Sequence, residues 1–199
     1  AVWSEIVPAL KLDRRIGQHA YLAPGLGIAG GNLERDLATV CKLADGSGSD
    51  AGVVRAWIAN SRQRRDWTLR TLHRAVLSKA RDPVIAVLGL AYKQDTDSTK
   101  NSPSLALLVH LTAFSVRVFD PVVPASAVPN PRCHAATSEL DACDGADALA
   151  IMTPWAQFGK LAPAQIARRL RGKLVLDPYA VLKAAACRAA GLEYFTLGI

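Results

Sequence analysis

Val84-Ile85-Ala86-Val87-Leu88-Gly89 is the stretch that decides the fold. It comes directly after Asp82-Pro83 and carries no polar side chain. A run this short and this apolar suits a strand covered on both faces, as in the parallel sheet of an α/β protein. Downstream of it the pattern alternates helix and strand. Ser102-Pro103-Ser104 opens a helix over 105–113, with Ser102 as cap and Pro103 in the first helical position. Residues 116–121 read as a second strand ending in a turn, and then comes a proline-rich loop (Pro121, Pro124, Pro129, Pro131). A short helix near 138–143 precedes a strand at 148–152, and another strand covers 173–177. A helix over 181–190 stops at Gly191, and 194–197 form a last strand. The alternation predicts a Rossmann-like, doubly wound parallel sheet of about five or six strands. Its ligands belong at the carboxyl ends of the strands, where the strand order reverses.

Upstream of Pro83 the pattern is helical. Residues 37–44 form an apolar-rich helix that ends in the loop Asp45-Gly46-Ser47-Gly48-Ser49. A longer helical stretch covers 51–79, with Val53, Val54, Trp57 and Ile58 on one face and Leu69, Leu72 and Val76 at spacings of three and four. Two parts are therefore expected, a helical one over 1–82 and an α/β one over 83–199. The 199 residues are 50% hydrophobic and 21% charged, with a mean hydropathy of +0.14, which excludes disorder and a small disulfide-stapled scaffold. No apolar run reaches the roughly 18 residues of a membrane helix. The opening AVWSEIVPAL lacks the basic-then-apolar build of a secretory signal and reads as the middle of a helix, so a piece of a longer protein is expected. Cys41, Cys133, Cys143 and Cys187 make no CxxC or metal-ligand spacing; they read as reduced thiols of a cytoplasmic protein, with no metal. The net charge of +7 gathers at 55–81 and 160–173. It fits either an anionic partner or solvated helix faces. No zinc-finger or RNA-binding motif accompanies it, and aromatic residues do not interleave as in a single-strand binder, so nucleic acid is not expected.

The most informative stretch for chemistry is Ala23-Pro24-Gly25-Leu26-Gly27-Ile28-Ala29-Gly30-Gly31-Asn32-Leu33-Glu34-Arg35-Asp36. Its glycines allow close backbone approach to a ligand, and a helix start offers free N–H groups and a positive dipole end. Asn32 sits near that start, with Asp36 four residues on along the same face. The stretch is not a GxGxxG fingerprint, because no strand precedes it. A flexible linker is the plainer alternative.

Here the chain resembles the UDP-glucose/GDP-mannose dehydrogenases. Asp13-Arg14-Arg15-Ile16-Gly17, Tyr21-Leu22-Ala23-Pro24-Gly25 and Gly27-Ile28-Ala29-Gly30 are similar to that family's D-x-R-I-G…F-L-x-P-G-x-G-x-G-G segment. Gly89-Leu90-Ala91-Tyr92-Lys93, Thr96-Asp97 and Ser102-Pro103-Ser104-Leu105 are similar to its G-[LF]-A-[FY]-K-x-x-T-D-D-x-R-x-S-P-S. Phe119-Asp120-Pro121 and Ala146-Asp147-Ala148 recur in order. The resemblance implies an enzyme of polysaccharide biosynthesis that oxidises the C6 hydroxyl of a nucleotide sugar to a carboxylate with NAD. It also implies a central helical dimerisation domain, of which 1–82 match the latter part, and a C-terminal nucleotide-sugar domain, matched by 83–199. The helix over 51–79 corresponds to the one that packs in the family's homodimer, through a face of Val53, Trp57 and Leu72. The family's NAD domain and its G-x-G-x-x-G have no counterpart in these residues.

By the same resemblance Arg15, Tyr21, Ala23, Gly25, Gly27, Tyr92 and Lys93 bind substrate, with Lys93 facing a phosphate or the sugar. Arg35 and Lys100 stand toward the cofactor, and Asp36 orients a water or a lysine. The departures matter equally. The family's nucleophilic cysteine, which must attack an aldehyde as a thiolate, is Asn32 here. A carboxamide is no nucleophile, and Cys41 lies nine residues on, more than two helical turns away. Lys100 replaces an arginine and loses its bidentate fork. Asp177-Pro178-Tyr179-Ala180 lacks the Arg and Asn of the family's D-x-R-N, whose arginine reaches substrate. Two readings remain: a UDP-sugar 6-dehydrogenase relative that is inactive as this chain, or a non-catalytic homologue that binds a sugar nucleotide or pairs with an active subunit.

Overall fold

The computed structural model describes residues 2–198. The first part is helical, with α1 (Trp3–Leu12), α2 (Asn32–Ser47), α3 (Gly52–Arg65) and α4 (Trp67–Leu72), the last running into a π turn at His73–Leu77. The second part alternates β1 (Val84–Leu88), α5 (Pro103–His110), β2 (Ser115–Phe119), β3 (Cys133–Ala135), α6 (Glu139–Cys143), β4 (Ala148–Ile151), α7 (Pro163–Arg169), β5 (Leu174–Leu176), α8 (Ala184–Ala189) and β6 (Glu193–Phe195). The strands form one six-stranded sheet in the order β3-β2-β1-β4-β5-β6, with all neighbours parallel. Beginning at β1 the chain winds one way; beginning at β4 it winds the other. That is the doubly wound order, and its switch point lies between β1 and β4.

Burial explains the apolar run at 84–89. Ile85 to Leu88 and Ala148 to Ile151 are fully buried, so both faces of the central strands are covered and no polar alternation is needed. In register, Ile85 stands between Val116 of β2 and Ala148 of β4. Toward the edge β2 alternates, and its Arg117 donates to the Asp141 carboxylate on α6 at 2.7 Å. Ser102 caps α5 as expected, accepting from the Leu105 N–H, with Pro103 in the first turn.

Three local expectations need correction. Residues 45–47 are not a loop: α2 continues to Ser47 and closes at Gly48, whose φ of 69° is the left-handed C-terminal stop that glycine allows. The helix over 51–79 is interrupted at Asp66, which leaves helical geometry (φ −81°, ψ 4°) before α4 begins. Leu72 does not share an outer face with Val53 and Trp57. It is fully buried in the main core, whereas Val53 and Trp57 are more than half exposed. Cys41, Ala44 and Ala51 make a second, small core where α2 meets α3, with Val54 and Ile58 against it. Leu26 of the glycine-rich stretch joins the main core. No helix among the described residues is long and apolar enough to cross a membrane.

Candidate nucleotide-sugar site

At the end of β1 the chain turns through Gly89 into Leu90 and Ala91, both fully buried. Three elements satisfy this buried backbone. Asp120, just past β2, accepts from the Leu90 and Ala91 N–H groups at 2.6 and 3.1 Å through Oδ2. Its Oδ1 accepts from Val122 and Val123 at 2.9 and 2.8 Å, and the Trp155 indole N–H donates to Oδ2 at 3.1 Å. Thr153 past β4 donates to the Ala91 carbonyl at 2.7 Å, and Ser102 donates to the Leu90 carbonyl at 2.7 Å. Burial by itself would raise the Asp120 pKa. The N–H groups of Val123, Leu90, Val122 and Ala91 outweigh it and hold the carboxyl below its ordinary value.

This cradle presents Tyr92 and Lys93. The Lys93 ammonium lies 5.8 Å from the centre of the Tyr92 ring, and that ring stands against Gly30. The Gly30 N–H donates to the Lys100 carbonyl at 3.1 Å, and Asn101 donates its amide to the Gly30 carbonyl at 2.7 Å and to the Glu34 carboxylate. A β-carbon on Gly31 would fall 2.6 Å from the Lys100 ammonium. The start of α2 is thus stitched to the loop after β1. Asn32 opens the helix and is exposed; Arg35 and Asp36 pair on the surface at 3.1 Å. Of the residues singled out in the sequence, Asn32, Tyr92, Lys93 and Lys100 gather here, with Arg35 and Asp36 one turn along α2.

Tyr21, Ala23, Gly25 and Gly27 form a second group. Gly27 has a φ of 83°, and a β-carbon there would meet the Ser61 carbonyl at 2.6 Å. Ser61 Oγ accepts from the Ile28 N–H at 2.8 Å, so the loop is fastened to α3. On its other side the loop is fastened to α1, where the Trp3 indole donates to the Leu22 carbonyl. A cleft of about 710 Å³ opens between α1, the loop and the strand ends, lined by Trp3, Lys11, Tyr21, Pro24, Tyr179 and Tyr194 among others. Two more, of about 460 and 400 Å³, share Ala23, Gly25 and Arg64. Tyr21 is fully exposed beside them. Arg15 is not brought to either group; it is held by Asp13, with an Nη2–Oδ2 distance of 2.6 Å, and lines none of these clefts.

Tyr179 is the residue at which the sequence resemblance expects an arginine. Burial pushes its pKa up to about 12 against an opposing hydrogen bond from the Leu26 backbone, and its ring lies beside Gly25. No thiol among the described residues takes over from Asn32. Cys143 and Cys187 are buried and pushed up to about 12 and about 11, chiefly by desolvation, and Cys41 is buried between α2 and α3. The described residues make no dinucleotide cradle either. The turn after β1 is filled by Leu90 and Ala91, and Asp120, at the strand end where such folds read a ribose hydroxyl, already serves five donors.

The fold is a doubly wound, all-parallel α/β sheet with its candidate site at the strand ends. Solved structures agree: the chain superposes on a UDP-glucose dehydrogenase from Pyrobaculum islandicum with a TM-score of 0.79 and 25% identity, covering 98% of this chain and 43% of that one. The UDP-D-ManNAc dehydrogenase from Pyrococcus horikoshii matches with a TM-score of 0.79 and 26% identity, covering 98% of this chain and 44% of that one. In sequence it is 30% identical to the UDP-glucose 6-dehydrogenase of Pseudomonas aeruginosa, over 94% of this chain and 43% of that protein. Residues 86–184 match the UDP binding domain of the UDP-glucose/GDP-mannose dehydrogenase family. The chain belongs to that family, and it spans less than half the length of these relatives.

Asp120, Thr153, Trp155, Ser61 and Arg64 are site residues that the sequence does not single out. Phe119-Asp120-Pro121 stands out there only as a recurring motif. An acid at a strand end, directly before a proline, is the available signal for a backbone-binding carboxylate.

Proposed function

We propose that this chain binds a UDP-sugar as the central and nucleotide-binding parts of a UDP-sugar 6-dehydrogenase relative, and that these 199 residues do not catalyse the oxidation. One observation carries the second half. Asn32 holds the first position of α2, directly after Gly30 and Gly31, which stand against Tyr92 and Lys100, and there the resemblance to the family requires a thiol. A carboxamide has no titratable proton and forms no thiohemiacetal, so the aldehyde stage has no nucleophile. In this reading Asn32, Asp36 and Lys93 face the sugar, and the loop from Tyr21 to Gly27 holds the nucleotide. Arg35 and Lys100 retain positive charge on the side assigned to NAD. Residues 1–82 serve as part of a dimerisation domain, and residues 83–199 as the nucleotide-sugar domain.

The experiment is calorimetry with UDP-glucose and GDP-mannose, beside an absorbance assay for NADH. The expected outcome is saturable binding of UDP-glucose, weaker binding of GDP-mannose and no NADH. Asn32→Cys restores the thiol but supplies no dinucleotide site, so it too gives no NADH. Steady NADH formation by either protein contradicts the non-catalytic half, and the absence of any UDP-glucose binding contradicts the first.

A further inference from the structure

Helix α3 turns one stripe toward the glycine-rich loop. Trp57, Asn60, Ser61 and Arg64 come at helical spacings of three and four, and all four line the cleft of about 400 Å³ with Gly25 and Gly27. Ser61 sets the separation, because its hydroxyl is bonded to the Ile28 N–H. Arg64 stands one turn farther along, and it also lines the 460 Å³ cleft beside Trp3 and Tyr21. Among the described residues it is the only charged side chain lining either cleft. Its neighbours Arg55 and Arg65 face Asp45 and Asp66, whereas Arg64 has no ion-pair partner among the described residues. Meanwhile Tyr179 leaves the strand-end side of the same loop without a guanidinium, its ring set against Gly25.

We propose that Arg64 is a phosphate-binding residue of the sugar-nucleotide site, holding the diphosphate from the α3 side of the loop. The inference rests on the reading of this chain as a sugar-nucleotide binder. A guanidinium suits the task, since its planar fork matches two phosphate oxygens at once. Gly27 lets the loop meet Ser61 directly, so the diphosphate lies in the open cleft beside Arg64 and not between loop and helix at Ser61. A lysine at position 64 would keep the charge and lose the fork.

The test is calorimetry of the 199-residue protein with UDP-glucose, comparing Arg64→Ala, Arg64→Lys and, as a control for net charge, Arg62→Ala. Arg62 lies on the same helix but lines neither cleft. Arg64→Ala is expected to weaken binding by about tenfold to a hundredfold, the scale of a charge-assisted hydrogen bond. Arg64→Lys recovers part of the loss, Arg62→Ala leaves affinity unchanged, and the ligand-free melting temperature of Arg64→Ala stays native. Native affinity in Arg64→Ala overturns the proposal, as does an equal loss in Arg62→Ala. If the native protein itself fails to bind UDP-glucose, the underlying reading falls and this one falls with it.

Discussion

Asp120 concentrates more of the site's architecture than any other single side chain. Its two oxygens take four backbone N–H groups and one indole N–H, and so tie the loops after β1, β2 and β4 together. Asp120→Asn keeps the shape but turns one acceptor into a donor. Either the N–H groups of Leu90 and Ala91 or those of Val122 and Val123 then face an amide NH2, at a cost of about 1–3 kcal/mol in a urea titration. The pH dependence carries a definite sign. The folded carboxyl lies below its ordinary value of 3.8, so its contribution is present above that value and is lost as pH falls through the folded pKa. The asparagine variant lacks this contribution, so its unfolding midpoint should decline less steeply below about pH 4 than that of the native protein. Asp13, Asp141 and Asp147 are lowered as well, so the acid limb becomes shallower without vanishing. An acid limb as steep in the variant as in the native protein would contradict this account. Asp177 works in the opposite direction. Burial raises its pKa against hydrogen bonds from Leu182, Val181 and Tyr194, so its contribution weakens as pH rises.

Among the elements, the loop between α1 and α2 has almost no regular structure, yet it is fixed on both sides, by Ser61 of α3 and Trp3 of α1. Gly27→Ala tests the α3 side. Alanine at a φ of 83° is strained, and its β-carbon would overlap the Ser61 carbonyl. The substitution should cost about 1–3 kcal/mol, increase proteolysis within residues 21–30 and weaken UDP-glucose binding. Unchanged proteolysis and affinity would show that α3 does not hold the loop. The central strands β1 and β4 are legible in the sequence because both faces are buried, and α5 because Ser102 and Pro103 announce its start. β3 is not. Its three residues, Cys133 to Ala135, are half-buried or exposed at the sheet edge and leave no apolar signature. α7 is hidden inside a basic cluster; Ile166 is its only buried residue. The end of α2 is masked because Asp45, Gly46 and Ser47 are loop-prone residues, and tertiary packing of Cys41 and Ala44 on α3 overrides that propensity. The glycine-rich stretch is legible as a site, but its attachment to Ser61 is not, since a serine on a polar helix face looks like a solvated one.

At the scale of the whole molecule, Val40 and Leu43 of α2 and Val53 and Trp57 of α3 are exposed apolar side chains. We propose that they pack in a homodimer through the helical part, with Leu72 outside the contacting face. Val53 lines neither of the clefts beside Arg64, so Val53→Glu is expected to yield monomers in sedimentation velocity while leaving UDP-glucose affinity unaltered. An unchanged dimer would remove α3 from the interface. One more feature reaches across the entire chain. Besides its indole bond to Leu22, Trp3 donates its backbone N–H to the Gly198 carbonyl at 2.7 Å, and Gly198 also lines the clefts beside α1. The Leu22 contact closes a loop of 19 residues, and the Gly198 contact closes one of nearly the full length of the chain. Each doubling of loop length adds about 0.6 kcal/mol of closure entropy. By this cost α1 meets the glycine-rich loop more cheaply than it meets the C-terminal end of the chain, and the cleft lined by Trp3 and Gly198 is completed by the costlier of the two contacts.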